Sequence, residues 1–333
     1  MNNQSKMPFV TALLVTRNEI DYIKISLMSL INQTYPKECY EIIIVDGNST
    51  DGTLGIINGI KKKYSTDCFQ IRIKPNPNKI LATGWNIGIK EAKGDYVVRI
   101  DAHATANEDF IEKSVETMQR VDAACVGGKL TSLSLNGEED VISYVLSSPF
   151  GVGNSSFRVS ETEGYVDTAV YGLYKKSVFE EVGYFDEHLV RSQDLEMLGR
   201  IRRNGGKFYF NPAIKSTYYT RNTVKKMLRQ AYGNGKWNMV LLKRGGASLS
   251  LRHLIPFAFV IFVFGFIMLG FINPWIWYFG VAVLLLHLCL GVVFALKKTK
   301  KIGQVIRMPF LFISLHFSYG LGYFAGLFHS CNK

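Results

Sequence analysis

Apolar, β-branched runs alternate along the first third of the chain with stretches whose apolar residues fall on one helical face. FVTALLVT (9–16) reads as a strand, and residues 21–33 then place Ile23, Leu27, Leu30 and Ile31 on one side of a helix. EIIIVDG (41–47) precedes an amphipathic Thr53–Tyr64, and FQIRI (69–73) precedes a helical 82–92. DYVVRID (95–101) precedes a helix over 107–120, and AACVGG (123–128) closes the series. Such alternation predicts βαβ units, an α/β fold and a largely parallel sheet, with ligands at the carboxyl ends of the strands.

From 131 to 220 the pattern loosens into Gly- and Ser-rich loops, short strands within VDTAVYGLY (166–174) and KFYFNP (207–212), and one helix over Gln193–Arg203. Residues 223–244 form a basic, amphipathic helical segment that ends at Gly245-Gly246. Three apolar stretches follow at 254–272, 275–296 and 308–328. Helices of these lengths extend about 28 to 33 Å, enough to cross a hydrocarbon core of about 30 Å. The first two carry no charge and are joined by Asn273-Pro274, which predicts a hairpin with Trp275, Trp277 and Tyr278 at an interface. The third contains Ser314, His316, Ser318 and several glycines, so it is expected to span, to pack against the hairpin or to lie in the interface. Soluble helices are seldom apolar on every face, which argues against a soluble core here. The expected organisation is a globular domain over 1–222, a basic interfacial segment over 223–253, and a membrane domain over 254–328 with two or three transmembrane helices.

Charge sharpens this division. The 333-residue chain is 47% hydrophobic with a formal charge of +12, yet all 27 acidic residues lie at or before Glu196. Beyond it stand 19 Lys and Arg and no acid. The basic residues adjoin membrane segments and no recognition motif accompanies them, which excludes nucleic acid as a partner. Lys243, Arg244 and Arg252 precede the first apolar stretch, and Lys297, Lys298, Lys300 and Lys301 follow the second. The positive-inside rule then makes the expected protein a multi-pass protein of the cell inner (plasma) membrane, with its globular domain cytoplasmic and the tail after His329 outside. Five scattered cysteines, Cys39, Cys68, Cys125, Cys289 and Cys331, form no CxxC pair. They suit a reducing compartment and oppose both a disulfide framework and a zinc site. The apolar 9–15 run is followed at once by Arg17, Asn18 and Glu19, so it reads as a buried strand and not a secretory signal.

The chemistry must come from somewhere other than a phosphate-binding glycine loop. No G-x-G-x-x-G follows a strand and no G-x-x-x-x-G-K-[ST] occurs. The strand ends instead carry acids. Asp46 ends the second strand, with Ser49, Thr50 and Asp51 placed to cap the next helix. Asp101 ends DYVVRID two residues before His103, a spacing that lets carboxylate and imidazole converge on one cation. Asp194 lies in the first turn of the helix that Ser192 begins.

TRNE (16–19), VDGNSTDGT (45–53), NKILATGWNIGIKEAKGDYVVRIDAHA (78–104) and RSQDLEMLGRIRRNGG (191–206) stand in the order and spacing of a known family. Through them the chain resembles the family 2 glycosyltransferases of the GT-A fold, a Rossmann-like mixed sheet flanked by helices. The likeness extends over about residues 9 to 245 and is greatest to the membrane-associated bacterial enzymes of succinoglycan-type exopolysaccharide synthesis. It implies that Thr16, Asn18 and Glu19 begin the nucleotide pocket and that Asp46 holds the donor base. Lys79 and Gly84-Trp85-Asn86 would line the donor site. Asp101-Ala102-His103 stands where the family has D-x-D, which binds ribose and metal, so Asp101 and His103 become the implied metal ligands. Imidazole in place of the second acid is a competent ligand for Mn²⁺ and a poorer one for Mg²⁺. Asp194 matches the general base, with Glu196 as runner-up, and Asp167 and Gly172 match positions facing the acceptor. Gln230 and Lys236-Trp237 depart from the Q-x-x-R-W motif of processive synthases, which favours one sugar per encounter.

The implied function is inverting transfer of a sugar from a nucleotide-diphosphate sugar, with Mg²⁺ or Mn²⁺, to a membrane-bound, polyprenyl-linked glycan in exopolysaccharide or cell-surface polysaccharide synthesis. One base and one metal suffice for a single displacement, whereas a hydrolase would want two carboxylates flanking the bond. The alternative is a non-catalytic nucleotide-sugar-binding membrane subunit of a polysaccharide assembly complex.

Overall fold

Seven consecutive buried residues, VTALLVT, make strand β1 (Val10–Thr16), and seven more, YEIIIVD, make β2 (Tyr40–Asp46). Continuous apolar runs of this kind belong to strands covered on both faces. The computed structural model describes residues 7–134, 140–153, 155–220, 223–245 and 249–329. Seven further strands complete one sheet: β3 (Ile71–Pro75), β4 (Tyr96–Asp101), β5 (Ala104–Ala106), β6 (Cys125–Leu133), β7 (Gly164–Val166), β8 (Leu173–Lys175) and β9 (Phe208–Tyr219). Their order is β3-β2-β1-β4-β8-β6-β9-β5, with β7 also paired to β9. The strands β3, β2, β1 and β4 run parallel, while β8 joins β4 antiparallel. The fold is therefore the GT-A-like mixed sheet, parallel where the βαβ pattern is regular and antiparallel beyond it.

Cα packing divides the chain into two compact units, one of residues 1–131 and 160–218 and one of 132–159 and 219–333. In the first, the helix Leu81–Glu91 lies on the sheet so closely that a Cβ on Gly88 would come 2.1 Å from Leu13 Cδ1. Leu13, Val15, Ile43, Val45, Trp85, Ile89 and Val97 form the core beneath that helix and continue into Phe179, Phe185, Met197 and Leu198. Burying each large apolar side chain contributes about 1.5–3 kcal/mol.

The second unit holds three helices long and apolar enough to cross a membrane: Leu251–Gly270, Pro274–Leu296 and Ile302–Leu327. Asn273 caps the second through its side chain, with Pro274 at the first helical position, as a tight hairpin requires. The third packs closely on Val224–Lys243: Gly322 and Gly326 face the Tyr232 and Lys236 carbonyls, where a Cβ would come within 2.1 and 2.4 Å. This G-x-x-x-G spacing lets the two backbones touch. The basic segment is thus committed to a helix partner along one side, which its charge pattern alone did not reveal. Met227, Ala231, Ala295, Met308 and Phe312 pack with Ile142 and Val145 as this unit's core.

Candidate active site

Register brings the sequence-predicted acids to one edge. Thr16 pairs with Asp46 across β1 and β2, and Val15 pairs with Asp101 across β1 and β4. All three strands are parallel, so Thr16, Asp46 and Asp101 share the carboxyl edge, where open α/β sheets bind ligands.

The loops that leave this edge are tied together. Asn18 donates its backbone N–H to Ser49 Oγ at 3.0 Å and accepts the Thr50 N–H at 2.9 Å. Glu19 donates its backbone N–H to Thr53 Oγ1 at 2.9 Å. Ser49 gives its N–H and its hydroxyl to the two oxygens of the buried Asp46, at 3.0 and 2.5 Å. The helix after β2 is therefore capped differently from expectation. Gly52, at φ 98°, takes the N-cap position, and Asp51 reaches past it to accept the Thr53 N–H and hydroxyl. These bonds, the Thr53 hydroxyl first, hold the Asp51 carboxyl below the usual carboxylate range.

Non-glycine residues in left-handed backbone are Asn18, Asn48, Lys79, Tyr171 and Ser192 among those described. Three stand in the loops after β1, β2 and β3, and the other two precede β8 and the helix Gln193–Arg203. Such strain costs about 1–3 kcal/mol per residue and concentrates at functional sites. Lys79 itself is exposed, its backbone N–H given to the Asn76 carbonyl.

Asp101 accepts a hydrogen bond from Tyr171 Oη at 3.2 Å. His103 lies on the other side of Ala102, its Nδ1 3.3 Å from Glu19 Oε1, within ion-pair range though not aligned as a hydrogen bond. The rings of Tyr218 and Tyr22 flank it edge-on at 5.2 and 6.3 Å.

Asp194 and Glu196 occupy one helical turn and have opposite circumstances. Both Glu196 oxygens bind the Arg200 guanidinium, at 2.7 and 2.9 Å, and Arg200 also donates to the carbonyls of Val182, Gly183 and Tyr184. Glu196 is consumed in fixing a loop. Asp194 is exposed and makes no ion pair among the described residues, accepting only the N–H of Leu195. Ser192 sits at the N-cap of that helix at φ 58°, without a side-chain bond to it. Tyr174 below has its phenol pushed well up by burial, with Cys125 and Asp194 acting in the same direction.

Three expected donor-side or acceptor-side positions, Trp85, Asn86 and Gly172, turn inward. Trp85 and Asn86 are buried, and Asn86 exchanges hydrogen bonds of 2.9 Å with the backbone of Phe185 in both directions. A Cβ on Gly172 would lie 2.3 Å from Cys125 Sγ, so the missing side chain there serves strand packing. Asp167 is 75% exposed, with its carboxylate 4.0 Å from Arg202.

Arg99, a residue that the pattern reading passed over, is buried on β4 two positions before Asp101 and so on the same face. Its guanidinium lies 3.5 Å from the centre of the Trp85 ring and 5.6 Å from that of Phe185, with Nε and Nη1 unpaired. The signal was available as the lone positive charge inside VVRID. A cavity of about 690 Å³ between the helix Ile23–Ile31 and residues 106–109 includes none of these side chains.

Sheet order and strand direction define the GT-A fold class, with acids at the edge where such sheets bind ligands. Residues 11–183 match the family model of glycosyl transferase family 2, and the chain belongs to that family. Over 96% of its length it is 32% identical to the dolichyl N-acetyl-alpha-D-glucosaminyl phosphate 3-beta-D-2,3-diacetamido-2,3-dideoxy-beta-D-glucuronosyltransferase of Methanococcus voltae, 98% of which is covered. It is 25% identical to the succinoglycan biosynthesis protein ExoA of Rhizobium meliloti over 74% of each chain. The mannosyltransferase PcManGT of Pyrobaculum calidifontis, solved with GDP-Man and Mn²⁺, superposes with a TM-score of 0.61 at 17% identity, over 95% of this chain and 88% of its own. That likeness concerns the fold.

Proposed function

We propose that the protein transfers one sugar per encounter, with inversion, from a nucleotide-diphosphate sugar to a lipid-linked glycan acceptor at a membrane. The observation that carries the mechanism is the contrast within one helical turn: Glu196 is locked to Arg200, while Asp194 is exposed and makes no ion pair among the described residues. Asp194 takes the proton of the acceptor hydroxyl as its oxygen attacks the anomeric carbon. The bond from that carbon to the donor phosphate oxygen breaks, and its electron pair leaves with the nucleoside diphosphate. A single displacement inverts the centre, and one positioned base contributes about 10²–10⁴-fold.

Thr16, Asn18, Glu19, Asp46 and Lys79 form the nucleotide side of the pocket in this reading, and Asp101 receives the ribose. The donor set also fits a divalent cation. Among the described residues only Tyr171 engages the Asp101 carboxylate, and none makes an aligned hydrogen bond to the His103 imidazole. One oxygen and one imidazole ligand suit Mn²⁺ better than Mg²⁺. No group of three His, Cys, Asp or Glu side chains converges among the described residues, so an ion held here would need further ligands from the donor and solvent. Asp101 and His103 would hold the ion, which when bound stabilises the charge that develops on the departing diphosphate.

Three features support a lipid-linked acceptor and an inner-membrane location: the three membrane-length helices, the positive clusters at 243–252 and 297–301, and the dolichyl phosphate sugar in the name of the Methanococcus voltae relative. Those clusters orient the catalytic domain to the cytoplasm. The test is transfer by the full-length protein in detergent, with Mn²⁺, a panel of nucleotide sugars and polyprenyl-linked acceptors. Transfer with the anomeric configuration inverted supports the proposal. Donor binding with no transfer to any acceptor in the panel overturns it in favour of a binding subunit.

A further inference from the structure

We infer that Glu19 is a positioning residue for the cation, acting through His103: it receives the imidazole Nδ1 and turns Nε2 toward the metal. The inference rests on the proposed metal-dependent function and assigns to Glu19 a task beyond the nucleotide pocket. Its geometric basis is the 3.3 Å approach of His103 Nδ1 to Glu19 Oε1, with both side chains 18% exposed. Nε2 has no partner among the described residues, and Tyr218 and Tyr22 hold the ring edge-on from two sides.

The position of Glu19 is itself overdetermined. Its backbone N–H goes to Thr53 Oγ1, and its carbonyl accepts the N–H groups of Tyr22 and Ile23 at 3.0 and 2.8 Å. The carboxylate therefore projects from a fixed turn, and His103 lies within its reach. An imidazole that binds metal through one nitrogen commonly gives the other N–H to a carboxylate, which sets its tautomer and orientation. Substitution of an outer partner of this kind costs about 10–100-fold in metal affinity. The arrangement explains how His can stand where a second carboxylate would otherwise bind the ion: the negative charge is kept, one side chain further out.

The experiment measures Mn²⁺ affinity of the full-length protein by the loss of the free-ion EPR signal, in the presence of UDP, GDP or dTDP. Pulsed EPR of the bound ion then reads ¹⁴N coupling. Wild-type protein should bind Mn²⁺ with a ¹⁴N signal that His103→Ala removes. Glu19→Leu should weaken Mn²⁺ binding at least tenfold and diminish the ¹⁴N signal, with Glu19→Gln, which keeps an accepting carbonyl, in between. With nucleotide at concentrations that saturate each variant, the loss of Mn²⁺ affinity caused by Glu19→Leu should be at least fivefold smaller in a His103→Asp background, because the residue it positions is gone. Thermal unfolding of each variant separates these effects from loss of fold. Wild-type affinity and ¹⁴N coupling in Glu19→Leu would overturn the inference, and so would an equal loss of affinity in both backgrounds. Bound Mn²⁺ without ¹⁴N coupling in the wild type would also overturn it and leave metal dependence standing. Absence of Mn²⁺ binding with all three nucleotides would overturn metal dependence itself.

Discussion

The two ends of the parallel half-sheet both carry buried acids, but they use them differently. At the amino end, Glu41 is 1% exposed and accepts four hydrogen bonds: from Thr11 Oγ1, from Arg72 Nε and Nη2, and from the Lys93 N–H. A carboxylate has about four acceptor sites, so Glu41 is saturated. Among the described residues, Asp46 and Asp101 at the carboxyl end receive two bonds from Ser49 and one from Tyr171, and Asp194, in the helix Gln193–Arg203, accepts only the N–H of Leu195. Saturation, more than burial or strand position, separates a carboxylate that holds the fold from one that is left for a ligand. The same rule separates Asp194 from Glu196 within a single turn.

The largest effect should come from the least engaged acid. Asp194→Asn removes the base and leaves its surroundings intact, so initial transfer rates should fall about 10²–10⁴-fold with the unfolding midpoint unchanged. Glu196→Gln should do the reverse, lowering the midpoint through the released Arg200 loop while keeping transfer within a few-fold of wild type. Near-normal turnover in Asp194→Asn would end the assignment of the base and, with it, the saturation rule at this helix.

Breaking the saturated end should cost stability and little else. Glu41→Ala leaves Arg72, whose side chain is 21% exposed, without its buried partner. Removing one member of such a pair costs about 3–5 kcal/mol. Chemical denaturation should show that loss, while folded protein at low temperature transfers sugar at the wild-type rate. A kinetic defect equal to that of Asp194→Asn would show that the two ends are not separable.

Asp46 tests the intermediate case. In Asp46→Asn one of the two bonds from Ser49 meets an amide N–H₂ in place of an acceptor, which costs about 1–3 kcal/mol at a buried group. Nucleotide affinity measured by calorimetry should drop about tenfold, with the rate at saturating donor nearly preserved. Unchanged affinity would remove Asp46 from the donor pocket.

Much of the parallel half could be read from the chain because each strand there is a continuous apolar run and each helix keeps a 3.6-residue period. Thr53–Tyr64 and Gln193–Arg203 begin and end where their periodicity does. The antiparallel half resisted reading because β5, β7 and β8 are three residues long and take their stability from neighbours distant in sequence. The site divides in the same way. Asp46 and Asp101 are marked by standing at strand ends, whereas the choice between Asp194 and Glu196 depends on where Arg200 points. Trp85 and Asn86 lie inside a donor-side motif yet face the core, since helix packing on β1 and Phe185 decides their direction. Spacing along a chain gives the face a residue occupies and not the partner it finds there.

Asp51 provides the smallest and most discriminating test, because it sits at the carboxyl end yet has three of its about four acceptor sites filled. It accepts the Thr53 N–H and hydroxyl and the Ile20 N–H, at 3.0, 2.6 and 3.1 Å. The saturation rule therefore makes it structural despite its place beside the nucleotide loops. Those bonds favour the ionised form and lower its pKa in the folded state. A lowered folded pKa means that the contribution is present above the ordinary carboxylate value and is lost as pH falls through the folded one. Asp51→Asn should consequently melt slightly below wild type near neutral pH, with the gap closing below about pH 4. Donor affinity should stay within twofold, since most of the acceptor sites on Asp51 are already taken by Thr53 and Ile20. A gap independent of pH, or a donor defect as large as that of Asp46→Asn, would mean that position along the strand edge outweighs saturation in deciding what an acid does.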